Sequence, residues 1–498
     1  VQQPLLRFAV GLNDFGALAQ ALVVANTVNN VVVSSGTQGV SRAVAAAPGH
    51  EDEALRAALK VHAVAAVAVA AIMVAATPLF AKFEHADDVV APLLVMALVA
   101  LLYGLYAPLI GYLNGRRRFG RQAALDILFA TLRTVGLVAF GRAFALRGAS
   151  GALGTTVGWV AAAACILPVA IRSTGLGRAT PSGSPAAGVP RPGAYVAMLL
   201  PIAGAQLCTN FLLQIDIALL GRFLSERAAS AGAWTADSRD TVKSWIAIYK
   251  ECQTFAFLPY QLLFSITLIL FPMLARVHAE RDLAAVRAYV ARGGRLAAIF
   301  GGVVVGVVLA MPGSMLGFAY GAADAQRGAD VLRIMALAQG AFAMLGIATT
   351  VLTSIGRERT SAWITLGAVI AVASACAASV PHASFGHAQL VRSAEATLLA
   401  LTMTLIVAGT LVRQRTRAFV PSKTILRVGI ALAACFVVGL YMPGTGRLVT
   451  PALALVIGTG YFALLVAMGE IDASDVALVR SLASRRRPPP SAHRPAAR

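Results

Sequence analysis

Long apolar runs separated by short polar breaks dominate this chain. About 20 residues of helix are needed to cross the roughly 30 Å of a bilayer's hydrocarbon. Thirteen runs come close to that length: Ala17–Thr37, His62–Phe80, Val89–Leu113, Ala123–Phe144, Ala152–Ile171, Tyr195–Phe223, Trp245–Pro272, Leu296–Phe318, Val331–Leu352, Ala362–Val380, Ala394–Val412, Ile425–Tyr441 and Pro451–Met468. The pattern predicts an all-α polytopic membrane protein with thirteen visible transmembrane helices.

Three of these runs carry polar stripes. At 100° per residue, Asn26, Thr27, Asn30, Ser34, Thr37, Gln38 and Ser41 fall within about 120° on the first run. In the sixth, Gln206, Thr209, Asn210, Gln214 and Asp216 span about 160°, and in the seventh Lys250, Gln253, Thr254, Gln261 and Ser265 span about 120°. Lipid tolerates none of these faces, so the three helices are expected to share a wet cavity.

Composition agrees: 58% of the 498 residues are hydrophobic and only 13% are charged. The net charge of +20 would suit a nucleic-acid binder, but its distribution reports topology instead. Segments on one side of the predicted membrane, among them "NGRRRFGR", "GRERT", "RQRTRAFVPSK" and the tail "RSLASRRRPPPSAHRPAAR", hold most of the 42 Lys and Arg. That side is expected to be cytoplasmic, and the C-terminus with it. An odd number of spans would then leave Val1 outside. This favours a first helix preceding the chain, with "VQQPLLRFAVGLNDFG" as its outer end. All five cysteines lie within the predicted spans, where they serve as small apolar residues, and no metal spacing is visible.

The Pro-, Gly- and Ser-rich stretch Arg172–Gly193 reads as a flexible linker between two six-helix halves. The halves echo each other at an offset of about 235 to 240 residues: "LNGRRRFGRQAAL" with "LTSIGRERTSAW", and "TQGVSRAVAA" with "FPMLARVHAE". The expected organisation is an N-terminal lobe (1–172), a linker (173–193), a C-terminal lobe (194–413), two further helices (414–470) and a basic tail (471–498). The charged segment His278–Arg292 reads either as an amphipathic helix on the membrane surface or as a solvated connector.

Asp216 is the most expensive residue in the spans, and intramembrane carboxylates mark substrate or ion pathways. It is therefore a candidate for ion coupling with H+ or Na+, placed in the outer half of the cavity. The alternative is a structural ion pair with Lys250. Arg133 and Asp126 lie two turns apart on one face, and there a structural pair with a neighbouring helix is favoured. Arg42 and Arg276 end two cavity-facing helices at repeat-related positions. With Lys250 they could form a path for a diphosphate, whose oxygens accept bidentate donors; alone, each simply obeys the positive-inside rule. The expected cavity set is Asn26, Asn30, Gln206, Asn210, Gln214 and Gln261.

"YKECQTFAFLPYQLLFSITLILFPMLARVHAE", with its mid-helix Pro259, and "GFAYGAADAQRGADVLRIMALAQGAFAMLGIATTVLTSIGRERT" resemble the polysaccharide (Wzx-type) flippases of the multidrug/oligosaccharidyl-lipid/polysaccharide exporter superfamily. "RFAVGLNDFGALAQAL" and "SSGTQGVSRAVA" are similar to that family's first loop and second helix. The resemblance implies a MATE-like two-lobe bundle with a V-shaped central cavity and fourteen helices. The last two helices would be an extra pair guiding a prenyl tail. It further implies a flippase of the bacterial inner membrane that carries undecaprenyl-diphosphate-linked oligosaccharide, working with membrane lipids and other polysaccharide-assembly proteins. Lipid II or a cationic drug are rival cargoes, and a membrane glycan polymerase or ligase is the rival from another class. The outer loop Ser225–Ser244 offers an enzyme only Asp237 and Asp240, and no nucleotide-binding loop appears.

Overall fold

A computed structural model describes residues 2–175, 189, 191–230, 235–442, 444, 446 and 448–471. Most of the expected linker, and the basic tail from residue 472, lie outside the described residues. Among the described residues there is no strand, and twelve helices are long and apolar enough to cross a membrane. The N-terminal part comprises α1 (Gln2–Val10), α2 (Leu12–Ala45), α3 (Glu51–Glu84), α4 (Val90–Gly115), α5 (Phe119–Leu146) and α6 (Gly151–Thr174). The next part holds α7 (Pro192–Leu212), α8 (Ile215–Ser230), α9 (Ala236–Ala256), α10 (Leu258–Ala279), α11 (Leu283–Ala310), α12 (Pro312–Ala319), α13 (Ala322–Ser354), α14 (Glu358–Ser379) and α15 (His387–Thr416). The final pair, α16 (Ser422–Tyr441) and α17 (Thr450–Ala467), packs on α11.

The sixth and seventh predicted runs are each broken in two. The α9–α10 junction needs little explanation: Pro259 lacks an N–H, so one rung of the helical ladder is missing beside Phe257. The α7–α8 break at Leu213–Gln214 has no proline or glycine. Its freed carbonyl, Leu213 O, accepts from Gln253 Nε2 of α9 at 3.3 Å, so a neighbouring helix satisfies what the break exposes. End to end, α9 and α10 make the thirteenth span. His278–Arg292 is not a separate surface helix. The chain turns at Arg281 (φ 58°), and Asp282 caps α11, whose first turns take up the rest of the segment.

Within the N-terminal lobe, small residues let helix backbones touch, as apolar surroundings require. Gly136 of α5 and Gly158 of α6 face each other so closely that a Cβ on Gly158 would sit 2.1 Å from the Gly136 carbonyl oxygen. Gly111 of α4 also lies close on Thr37 and Val40 of α2, with a Cβ there 2.7 Å from the Thr37 carbonyl oxygen.

Successive spans alternate direction, so the arginine-rich turns after α2, α4, α10, α13 and α15 share one end of the bundle, here called the basic end. At the opposite, far end the two lobes are joined. Ala19 and Val23 of α2 belong to the same apolar core as α8, α9 and α13, and Gly16 packs on the Lys243 backbone.

Candidate functional site

A cavity of about 620 Å³ lies between the lobes, toward the basic end. Asn30, Ser34 and Gln38 of α2 form one wall; Gln206, Thr209 and Asn210 of α7 form another. The remainder comes from Tyr260, Phe264, Thr267 and Phe271 of α10, Phe342, Thr349, Thr350 and Thr353 of α13, and Thr365 of α14. Asn30 Nδ2 donates to Asn210 Oδ1 at 2.8 Å, bridging the lobes at the cavity's deep end. Among the described residues, the lining holds no Asp, Glu, Lys or Arg. The threonine hydroxyls of α13 donate to carbonyls of their own helix, which leaves their oxygens as acceptors toward the cavity.

Of the six cavity residues expected from the stripes, the structure places Asn30, Gln206 and Asn210 in the lining. Asn26 is half-buried outside the lining, Gln214 is buried just past the α7–α8 break, and Gln261 is exposed on another face of α10. Stripe arithmetic assumes an unbroken helix, and both later helices break within their stripes. The α13 wall was missed in the sequence, although "ATTVLTS" sets Thr349, Thr350 and Thr353 on adjoining positions of one face.

Asp216 does not face water in the cavity. It is 3% exposed at the start of α8, beyond the cavity floor, where Tyr249 Oη donates to it at 2.9 Å and the Ile217 N–H at 2.8 Å. It makes no direct ion pair with Lys250, whose Nζ donates to Gln253 Oε1 at 2.6 Å. Lys250 is buried, and Arg42 and Arg276 are both exposed, so the three cations expected to hold a diphosphate are not brought together. Arg42 sits one turn beyond Gln38, and Arg276 pairs with Glu280 at 3.0 Å. Arg133 does pair with neighbouring elements: it reaches Gln2 at 3.4 Å and lies over the Trp159 ring, while Asp126 is exposed.

A second, apolar groove of about 540 Å³ runs between α11, α13, α15 and α16. Its walls include Val305, Met344, Ile406, Val428 and Leu432, with Arg413 at the basic end.

Charged contacts close the far end. Arg7 of α1 donates through Nε to Glu251 and through Nη2 to Asp324, both at 2.9 Å, and Lys243 meets Asp88 at 2.6 Å. Each joins the N-terminal lobe, or the turn after α3, to the C-terminal lobe.

The described residues thus form a helical membrane bundle with a polar cavity between two lobes, closed at one end. The comparisons agree. Residues 7–231 match the family described as "Polysaccharide biosynthesis protein". By structure, the chain is similar to the lipid II flippase MurJ in an inward closed conformation (TM-score 0.71, 12% identity, covering 97% of this chain and 96% of that one). It is also similar to an inward-facing multidrug resistance MATE transporter of the MOP superfamily (TM-score 0.64, 13% identity, 84% and 93%) and to an outward-facing one (TM-score 0.56, 14% identity, 84% and 91%). No curated protein matches the sequence. The chain therefore has the fold of the multidrug/oligosaccharidyl-lipid/polysaccharide exporters, and its N-terminal portion carries the polysaccharide-biosynthesis pattern.

Proposed function

We propose that this protein flips undecaprenyl-diphosphate-linked oligosaccharide across the bacterial inner membrane by alternating access. The observation that carries the reading is the chemistry of the cavity: amides, hydroxyls and aromatic rings, with no charged side chain in the lining among the described residues. Sugar hydroxyls need many directional donors and acceptors, and their C–H faces suit ring faces such as Tyr260 and Phe342. A cationic drug would want a buried acid in the wall, and the described residues place none there. The apolar groove of about 540 Å³ beside α16 suits part of a prenyl tail, while Arg42, at the end of α2, and Arg413 lie near the basic end, where the diphosphate would remain. With the basic end cytoplasmic, the far-end closure supports an inward-facing state, and the C-terminus would be cytoplasmic too. Asp216 remains the candidate for H+ or Na+ coupling, acting from beneath the cavity floor.

The test is flipping in vesicles holding the full chain. Oligosaccharide-linked prenyl diphosphate, lipid II and a cationic dye are offered separately, and transfer is read by protection from a membrane-impermeant glycosidase or by dye efflux. Selective transfer of the oligosaccharide lipid supports the reading. Transfer of lipid II alone, of the dye alone, or processing of the glycan without transfer would each replace it with the rival named above.

A further inference from the structure

Glu84 is the last residue of α3, four residues beyond the apolar run that ends at Phe80. It is 0% exposed, and its carboxyl fills the space that a side chain on Gly221 of α8 would need: a Cβ there would lie 2.1 Å from Oε2. Glu84 thus seals a contact between the lobes at the far end.

Its hydrogen bonding is incomplete in a specific way. Gln20 Nε2 of α2 donates to Oε2 at 3.0 Å, while Glu84 Oε1 has no partner. Gln20 is itself 2% exposed, and its own Oε1 is also without a partner. A carboxylate and an amide oxygen are both pure acceptors, so neither can satisfy the other. One proton on the carboxyl resolves both, because a carboxylic acid and an amide exchange two hydrogen bonds as a pair. The other buried acids at this end differ: Glu251 and Asp324 share Arg7.

Of the charged groups around Glu84, Arg222 attracts the carboxyl electrostatically without coming within ion-pair distance. Arg222 of α8 pairs with Glu226 at 2.7 Å and stacks on Phe83 at 4.6 Å. Lys243 of α9 is held by Asp88 and Asp240. Arg239 of α9, with Lys82 and His85 on the chain of Glu84 itself and Asp87 in the following turn, complete the set. None of them comes within ion-pair distance of Glu84 among the described residues. A small gap of about 10 Å³, bordered by Gln20, His85, Asp88 and Arg239, leads from the pair toward the exposed far-end turn. It is about one water in size.

We propose that Glu84 binds a proton when the lobes close at the far end, and that closure therefore takes up one proton from the solvent on that side. When the lobes part, Glu84 leaves Gly221, meets water and releases the proton. This rests on the alternating-access reading above, and it adds the group through which pH biases the cycle. An ionised carboxyl with a single neutral donor, and with Arg222 beyond ion-pair distance, would be a poorly compensated buried charge, which opposes closure.

The sign follows from linkage: closure is favoured at low pH and is lost as pH rises, tenfold in the closed-to-open ratio per pH unit where one proton is exchanged. Spin labels at exposed Asp87 and Asp237, in a full-length chain with Cys165 and Cys208 replaced by Ala, would report the far-end distance in lipid. The wild type should lose the short-distance population tenfold per unit. Glu84→Gln keeps the shape and offers the amide pair, so it should stay closed at every pH. Asp88→Asn should shift the ratio but keep the slope. Two populations whose ratio responds identically in wild type and Glu84→Gln would overturn the inference alone. One fixed distance under all conditions would overturn alternating access itself. Infrared spectroscopy of the wild type gives a readout independent of the variant's folding: a protonated carboxyl band at low pH supports the assignment, and no such band overturns it.

Discussion

Arg7 is the strongest single link across the far end, and its removal gives a prediction with a calculable size. Its guanidinium uses two different nitrogens for two carboxylates on two helices, Glu251 of α9 and Asp324 of α13. The three side chains are 16%, 0% and 7% exposed, so solvent screens the group only weakly. Replacing one member of a buried pair leaves the other as an unpaired buried charge, at a cost of about 3–5 kcal/mol. Arg7→Met should raise the free energy of the closed far end by that amount. Each 1.4 kcal/mol is tenfold, so the closed-to-open ratio should fall roughly a hundred- to several-thousand-fold. In the open state the two acids can hydrate, so the loss falls mainly on one conformation. Arg7→Lys keeps a charge but lacks the fork needed to reach both acids, and should fall between. Labels at Asp87 and Asp237 read the ratio directly. If Arg7→Met leaves the short-distance population unchanged, Arg7 is not a closure contact and the reasoning fails.

Other perturbations test other parts of the molecule. Glu470, just past α17, accepts from Thr424 at 2.6 Å and from Arg295 and Arg427 at 2.9 Å, tying the last pair of helices to α11. Burial alone would raise its pKa, but the bonds from Thr424, Arg427 and Arg295 outweigh it and hold the carboxyl below its usual value. A depressed pKa means that this stability is present above the unfolded value of about 4.3 and is lost as pH falls through the lower folded value. Glu470→Gln should lower the thermal midpoint in detergent at pH 7, and the gap from wild type should close in acid. Gly158→Leu would force α5 off α6 against the Gly136 backbone; loss of folded protein by size-exclusion is expected, with Gly158→Ala costing about 1–3 kcal/mol. Gly429 lines the apolar groove with nothing within 4 Å of an added Cβ, so Gly429→Trp should fill the groove without disturbing the fold. Flipping of long-tailed substrate should then drop at least about tenfold while a short-tailed analogue is spared, since tail burial scales at about 0.8 kcal/mol per methylene.

The sequence made the bundle legible because crossing a bilayer is a demand on composition, and composition can be read without knowing contacts. Thirteen runs, the polar face of α2 and the lining roles of Gln206 and Asn210 all follow from hydropathy and a 100° step. Three of the misplacements share one cause. Gln214, Asp216 and Gln261 lie past breaks in their helices, and a break resets the angular register. The Leu213–Gln214 break carries no local signal, because what stabilises it is Gln253 on another helix. The far-end closure was illegible for a similar reason: Arg7, Glu84 and Lys243 meet their partners from distant parts of the chain, and single charges near helix ends look alike in sequence.

That break also explains why a carboxylate absent from the cavity still belongs to its machinery. Along α9, Tyr249 donates to Asp216, and Lys250 to Gln253, which in turn donates to the Leu213 carbonyl. One stretch of α9 therefore holds both sides of the α7–α8 junction. Cavity contacts at Asn210 lie on one side of the junction, and Gly221 with its Glu84 seal lies on the other. Any cargo that displaces the Asn30–Asn210 bond pulls on α7 just before a backbone gap held by side chains rather than by its own ladder. Such a gap is cheaper to move than an intact helix, since side-chain bonds can be exchanged for water one at a time. On the proposed alternating-access reading, the polar residues that looked like cavity lining would act as the fittings of a hinge between the cavity and the far-end seal.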